Sequence, residues 1–265
     1  MNGEIRIKEK IELQNSVMIM GLDGWGNAGE VSTFAVKYLA DTLNAKKIGE
    51  ILPEKFHDYL IQRPIVSIER GMIQSYISPR NDLYYWRNTE GGTNLVLLLG
   101  NEPHLNWAKY AESILELAEM GVNRIYTIGG YLADISYESE TPITGSTNNS
   151  KLIAELKKTG VELTNYNGPT SLYGEILWKA KDKKIDVVSL WCATPLYVRG
   201  LYPKAVYCVL KKITKLVDMN LDLEELKNKA EAFKKQFKIE AIDEPQTRET
   251  LNIRRRRKKE TTYIS

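Results

Sequence analysis

The sequence contains few of the side chains that bind metals or form disulfides. Only two cysteines and two histidines occur among its 265 residues. Cys192 lies in the apolar run VVSLWC, typical of a buried strand, so we expect free thiols and a reducing compartment. His57 and His104 show no metal-ligand spacing such as H-x-x-x-H, and no metal site is expected.

Long apolar runs and linkers are also missing. No apolar stretch reaches the roughly 20 residues that a membrane helix requires. Residues 1–14 alternate charged and apolar side chains and lack the basic start and apolar run of a signal peptide. At 43% hydrophobic and 27% charged residues, the chain can bury the core of one sizeable α/β domain. These features predict a cytoplasmic protein that does not bind membranes.

The body of the chain has no net charge of either sign. Residues 1–240 contain 30 basic and 30 acidic side chains, and residues 241–265 carry the whole excess of +3, mainly in the run Arg254–Lys259. A neutral body has no net attraction for a phosphate backbone, so nucleic acid is not expected as a partner unless the tail binds it. Because residues 241–265 have few apolar side chains, we predict a flexible basic tail there.

Continuous apolar runs alternate with segments of helical spacing. The pattern predicts strands at 17–20, 47–52, 94–99, 124–128 and 185–191, and helices at 31–43, 103–120, 151–158 and 171–181. Glu69-Arg70-Gly71 between two further runs predicts an antiparallel hairpin beside the main sheet. The alternation favours a three-layer α/β/α sandwich with a mostly parallel sheet.

The last regular segment is a predicted amphipathic helix over residues 222–239. Its apolar side chains recur at helical spacing, and Asp222 with Glu225 resembles a capped helix start. The apolar stripe must be covered by the chain's own body or by a neighbouring chain, and the weakness of isolated helices favours its own body. We therefore predict one α/β domain over 1–240, followed by the tail at 241–265.

The segment Gly24–Gly29 reads GWGNAG and matches the dinucleotide pattern G-x-G-x-x-G after a predicted strand. Unpaired N–H groups at a helix start can hold a phosphate there. Against this, the Asp23 carboxylate would repel a pyrophosphate and the Trp25 indole would crowd it. The other interpretation is a tight structural turn that lets strand and helix pack closely. A nucleotide- or nucleoside-binding enzyme that uses the loop at 21–29 therefore stays as the alternative function.

Three carboxylates follow predicted strands, namely Asp23, Glu102 and Asp134. In a parallel sheet they could converge at the carboxyl ends of the strands and perform acid-base chemistry. No G-x-S-x-G or G-x-x-x-x-G-K-[ST] motif accompanies them to supply a nucleophile or a phosphate clamp. Ordinary surface carboxylates are the competing interpretation.

Tyr84-Tyr85-Trp86 forms an aromatic patch close in sequence to the predicted hairpin. Core packing would explain it. An oligomer interface would explain it almost as well, because Tyr and Trp are enriched at interfaces.

Five stretches, in order, resemble one known family. They read GLDGWGNAGEVS at 21–32, FHDYLIQRP at 56–64, LLLGNEPHLNWAKY at 97–110, TIGGYLAD at 127–134 and NGPTSLYGEI at 167–176. Together they resemble the PAC2 family, the archaeal-type homologues of proteasome assembly chaperone 2, over roughly residues 15–217. The resemblance implies a three-layer fold similar to that of nucleoside phosphorylases without their catalytic residues. It also implies no cofactor, and assembly into homo-oligomers or heterodimers. Some members are labelled ATP-grasp enzymes, but this sequence shows no ATP-grasp signature.

The C-terminal ending bears on the partner that the resemblance implies. Family members that act on proteasomes resemble one another in a tail that ends with a hydrophobic residue, a tyrosine and any residue. This sequence ends Tyr263-Ile264-Ser265, with its tyrosine one place earlier. The resemblance therefore implies a non-catalytic, homo-oligomeric chaperone. Its expected partners are proteasome α subunits or another PAC2-like chain, and Tyr263, Ile264 and Ser265 are its expected partner-binding residues.

Overall fold

The computed structural model describes residues 4–8 and 12–243, and the side chains of the last helix as far as Gln236. The strands are β1 (Ile5–Ile7), β2 (Ser16–Asp23), β3 (Lys46–Ile51), β4 (Ile65–Glu69), β5 (Met72–Ile77), β6 (Asn81–Trp86), β7 (Asn94–Asn101), β8 (Val122–Ala133), β9 (Ile143–Thr147), β10 (Glu162–Leu163) and β11 (Asp186–Pro195). The helices are α1 (Val31–Thr42), α2 (Trp107–Ala118), α3 (Ile153–Lys158), α4 (Leu172–Lys183), α5 (Pro203–Leu216) and α6 (Glu224–Asp243).

Nine strands form one mixed sheet in the order β1-β3-β6-β7-β2-β8-β11-β9-β10. The central strands β7, β2, β8 and β11 are parallel. On one side β6, β3 and β1 are antiparallel to their neighbours, and on the other side β9 is antiparallel to β11. The four parallel strands end at Asn101, Asp23, Ala133 and Pro195, and we call this end of the sheet the carboxyl edge.

Both faces of the sheet are covered by helices, as the strand pattern predicts. Val17 and Ile19 of β2 belong to a buried cluster with α1 and α5, whereas Met18 and Met20 belong to a second cluster with α2 and α4. A strand buried on both faces needs apolar side chains at consecutive positions, which explains the continuous runs. The predicted three-layer α/β/α sandwich is confirmed. Its likeness to nucleoside phosphorylases stays a prediction.

The C-terminal helix packs on the body of its own chain. It begins two residues after Asp222, whose Oδ1 accepts a hydrogen bond from the Glu224 N–H at 2.8 Å. Leu226 and Ala230 are buried, and the Phe233 ring lies 5.6 Å from that of Tyr202. The helix continues four residues beyond the predicted end at 239. The described part of the chain includes no helix with the length and apolarity needed to cross a membrane.

Strands β1, β6, β9 and β10 and helix α5 were not predicted. Tyr84–Trp86 ends β6 inside the main sheet, and its half-buried side chains pack on both cores, which supports the core interpretation. The polar segment 134–150 contains β9. Helix α5 was not predicted, although Val206, Val209 and Ile213 have helical spacing and are buried. The predicted hairpin is confirmed as β4–β5, which forms its own two-stranded sheet.

Candidate functional site

The glycine loop at 24–29 crosses the carboxyl edge from β2 to α1. The Gly26 carbonyl accepts a hydrogen bond from the Gly130 N–H at 2.7 Å, which ties the loop to β8. A Cβ on Gly130 would lie 2.1 Å from the Ala28 carbonyl oxygen, and one on Gly26 would lie 2.9 Å from the Trp191 ring. The glycines are therefore required by close contacts inside the chain.

The hydrogen-bond donors that a phosphate would use at the start of α1 are partly occupied. Asn27 Oδ1 accepts from the Thr33 N–H at 3.1 Å, in the first turn of the helix. The Glu30 N–H donates to the Asn27 carbonyl oxygen at 3.0 Å. Trp25 stands 63% exposed above this turn, with its ring 6.2 Å from that of Trp191. The loop therefore has the contacts of a structural turn.

The structure brings two of the three predicted carboxylates together. Glu102 and Asp23 are adjacent, because the Glu102 N–H donates to the Asp23 carbonyl oxygen at 2.7 Å. The two oxygens of Glu102 accept from the Trp25 N–H at 3.1 Å and from the Leu172 N–H at 2.7 Å. Glu102 thus joins the glycine loop to the first turn of α4.

Asp23 and Asp134, unlike Glu102, are exposed at the carboxyl edge. Asp23 Oδ1 accepts from the Asn27 side-chain amide at 2.9 Å. Asp134 follows β8, past the point where Gly130 meets the glycine loop. Within residues 4–8 and 12–243, no cluster of three or more His, Cys, Asp or Glu side chains is arranged to hold a metal ion.

Histidines separated by 47 positions in the sequence meet beside this edge. The rings of His57 and His104 lie 5.5 Å apart and nearly perpendicular. His104 Nδ1 accepts from the Asp58 N–H at 3.2 Å, while the Phe56 carbonyl accepts from the N–H groups of His104 and Leu105. The pair fixes the start of the insertion between β3 and β6. Sequence spacing gave no signal for it, because only the strand order brings these loops together.

Stability should fall as the pH drops from about 6.5 to about 4. Burial, with a smaller contribution from the His104 charge, lowers the pKa of His57 from 6.5 to about 4. The unfolded chain then takes up a proton before the folded chain does, which favours unfolding across this window. The expected loss is on the order of 3 kcal/mol, measured as the free energy of unfolding in urea at pH 7 and pH 4.

Other carboxyl groups titrate over the same range, so the informative quantity is the difference between the unmodified chain and a His57→Gln variant. Glutamine retains a polar group near Asn81, whose amide lies 3.4 Å from the His57 ring. The variant should lose less stability on acidification. If the free energy of unfolding depended on pH in the same way for both proteins, the lowered pKa of His57 would contribute nothing to the loss of stability, and the prediction would be wrong.

The insertion between β3 and β6 leaves from the same edge and carries the hairpin. Ile51 pairs with Asn81, and Asn81 pairs with Gly100 near the end of β7, so both ends of the insertion lie at the carboxyl edge. Every residue of β4 and β5 is exposed. This edge therefore combines a closed polar turn with an exposed apolar hairpin.

The last helix also points towards the carboxyl edge. Residues 220–224 line a groove with Tyr207 and Lys211 of α5, whereas Phe233 contacts Tyr202 at the start of α5. The Tyr202 N–H donates to the Gly29 carbonyl oxygen at 2.9 Å, which places this end of α5 beside the glycine loop. Helix α6 continues ten residues past Phe233, a rise of about 15 Å. The predicted partner-binding residues, Tyr263, Ile264 and Ser265, lie outside the described residues.

Known proteins resemble this chain over most of its length. A protein of Methanocaldococcus jannaschii named as uncharacterized is 26% identical over 245 residues, which cover 90% of this chain and 88% of that protein. The Mycobacterium tuberculosis proteasome-assembly chaperone homologue Rv2125 is 26% identical, with a TM-score of 0.80 and coverage of 89% and 99% of the two chains.

A third likeness concerns the fold alone. The crystal structure of PbaB from Pyrococcus furiosus, an archaeal proteasome activator, matches with a TM-score of 0.72 at 21% identity, covering 91% of this chain and 98% of that one. The family model described as PAC2 family matches residues 21–240, most of the sequence and nearly all of the described structure. The chain belongs to the PAC2 family.

Proposed function

We propose that this chain is a non-catalytic, homo-oligomeric chaperone of the cytoplasm that works by binding other protein chains. The observation that carries the proposal is the closed carboxyl edge. Both oxygens of Glu102, the side chain of Asn27 and the Asp23 carboxylate bind groups of the same chain. An active site needs groups free to meet a substrate, whereas these groups hold two loops and two helices in place.

The partner we propose is the proteasome α ring or another PAC2-like chain, contacted by Tyr263-Ile264-Ser265. Support comes from two proteins similar to this chain, one described as a proteasome-assembly chaperone homologue and one as an archaeal proteasome activator. Capture of a chain terminus is a recurring mode of peptide recognition. An oligomer would present several tails to a multi-subunit ring, and this multivalency would compensate for a weak single contact.

Removing residues 261–265 should reduce co-sedimentation with purified 20S proteasome at least about tenfold, because the recognition residues are lost while the domain is untouched. The matched control replaces Arg254–Arg257 with alanine and leaves the ending intact, and it should still co-sediment at physiological salt. Sedimentation velocity should give both variants the mass of the unmodified oligomer. Unchanged proteasome binding by the truncated chain would refute docking through the ending.

A further inference from the structure

Asn167 and Gly168 form the only Asn-Gly pair in the part of the chain that the structure describes. The pair lies between β10 and α4, in a stretch where every residue from 162 to 170 is exposed. Among the described residues, neither the Asn167 side chain nor the Gly168 N–H has a hydrogen-bond partner. The Asn167 amide is therefore open to water and is not held in one position.

An asparagine in this setting can react with its own backbone. The nitrogen of the next residue attacks the side-chain carbon Cγ, and the new N–Cγ bond closes a five-membered succinimide. The Cγ–Nδ2 bond breaks, and the side-chain nitrogen leaves as ammonia with the proton of the attacking N–H. Water then opens the ring at either carbonyl carbon and gives aspartate or isoaspartate. The reaction needs only water.

Glycine favours this reaction because it has no side chain to crowd the attack and its backbone can adopt the required conformation. Asparagine is also one of the thermally labile residues of proteins. Asn165 is equally exposed, but the residue that follows it is a tyrosine. Asn149 precedes a serine, but its Nδ2 donates to Asp186 Oδ1 at 2.8 Å and its Oδ1 accepts from the Lys151 N–H at 3.0 Å. Only Asn167 combines a free amide with a glycine, among the described residues.

We propose that Asn167 is a site of spontaneous deamidation, which converts it to aspartate and isoaspartate as the protein ages. Either product adds one negative charge to the chain, and isoaspartate also adds a methylene carbon to the main chain. The modification does not depend on the proposed function, because it requires no partner protein.

The modified residue would lie just before α4, close to the carboxyl edge. The Tyr166 hydroxyl donates to the Pro169 carbonyl oxygen at 2.7 Å and bridges the Asn-Gly pair. The Leu172 N–H donates to Glu102 at 2.7 Å at the start of the helix. A negative charge before a helix is favourable, so aspartate should leave α4 in place. Isoaspartate lengthens the main chain inside the bridge and should loosen the first turn of α4.

The direct test is peptide mapping by mass spectrometry on the unmodified full chain, incubated for several weeks at mildly alkaline pH. The peptide that contains Asn167 should gain about 1 Da and separate into two products, and fragment ions should assign the gain to Asn167 and not to Asn165. Conversion should slow at mildly acidic pH, because the attacking nitrogen must lose its proton. Asn2-Gly3, the other such pair in the sequence, lies outside the described residues and is read from a separate peptide.

Two variants are the matched controls. Asn167→Gln lengthens the side chain, so that the ring that it would form is larger and closes more slowly. Gly168→Ala adds a methyl group, and its Cβ would lie 2.8 Å from the Tyr166 hydroxyl, at the end of a side chain that can move. Both variants should retain the amide at position 167 after the same incubation. Conversion of Asn165 or Asn149 before Asn167, or equal conversion in Gly168→Ala, would overturn the proposal.

Hydrogen exchange tests the structural consequence. Asn167→Asp introduces the charge alone and should retain the protection of the Leu172 amide. The aged chain, once an isoaspartate-specific methyltransferase labels it at position 167, should exchange faster there than the fresh chain. Identical exchange in the fresh and the labelled chains would show that the modification does not reach α4 and would contradict this part of the inference.

Discussion

Replacing Gly21 with alanine is expected to lower the free energy of unfolding by about 3 kcal/mol, at the upper end of the cost of overpacking a core. Gly21 is buried in β2 where α1 crosses the strand. A Cβ there would lie 2.1 Å from the Ser32 carbonyl oxygen and 2.7 Å from a methyl carbon of Val36. The nearer atom belongs to the helix backbone, so relief requires moving α1 away from the sheet.

Thermal unfolding of the Gly21 variant provides the measurement. For a chain of this size we expect the Tm to fall by roughly 6–12 °C. The matched control is Gly92→Ala on an exposed loop, where the added methyl meets only the end of the Asn88 side chain. That side chain can rotate away, so the control should cost less than about 1 kcal/mol. Similar losses for both variants would contradict the close packing of α1 on β2.

Replacing Glu102 with glutamine is expected to cost about 2 kcal/mol, because hydrogen bonds to a charged acceptor are stronger than neutral ones. Glutamine can accept from only one of the two N–H groups, Trp25 or Leu172, and turns its own NH₂ towards the other. The glycine loop and the start of α4 should both loosen. Urea unfolding gives the loss of stability, and hydrogen exchange should locate it at these two segments.

An exposed carboxylate near the same edge serves as the control for Glu102. Glu54 is exposed, and Glu54→Gln should change the free energy of unfolding by no more than about 0.5 kcal/mol. A Glu102→Gln variant as stable as the unmodified chain would mean that the carboxylate does not hold the two segments. Its position at the carboxyl edge would then need another explanation.

The sequence pattern predicted the strands that are buried on both faces, because their apolar side chains are consecutive. Strand β2 is apolar at consecutive positions because Met18 and Ile19 face opposite cores, and such runs are visible in the sequence. Strand β9 was hidden because its glycine and threonines look polar. Gly145 is buried beside Val161 and Leu190, which are distant from it in sequence. Helix α5 is amphipathic, with Val206, Val209 and Ile213 buried at helical spacing, so its pattern is visible in the sequence alone.

The sequence likewise predicted the features of the site that depend on local motifs, but not the contacts between residues that are distant in sequence. The family resemblance came from the motifs, and the family model over residues 21–240 confirms it. Spacing placed Asp23 and Glu102 near the same edge but could not show that Glu102 binds the N–H of Leu172, 70 positions away. The contact between His57 and His104 likewise exists only once β3, β6 and β7 have paired. Exposure of the hairpin could not be predicted either, because its apolar residues read like those of any strand.

The central claim is that the carboxyl edge is closed to small molecules and that the chain acts on other polypeptides. Calorimetric titration of the unmodified full chain with ATP, NAD and nucleosides tests this most directly. The account predicts no binding at micromolar concentrations, because Glu102, Asp23 and Asn27 at this edge already bind groups of the same chain. Micromolar binding that is weakened by Glu102→Gln or by a substitution of Gly26, or turnover that depends on Asp23 or Glu102, would contradict it.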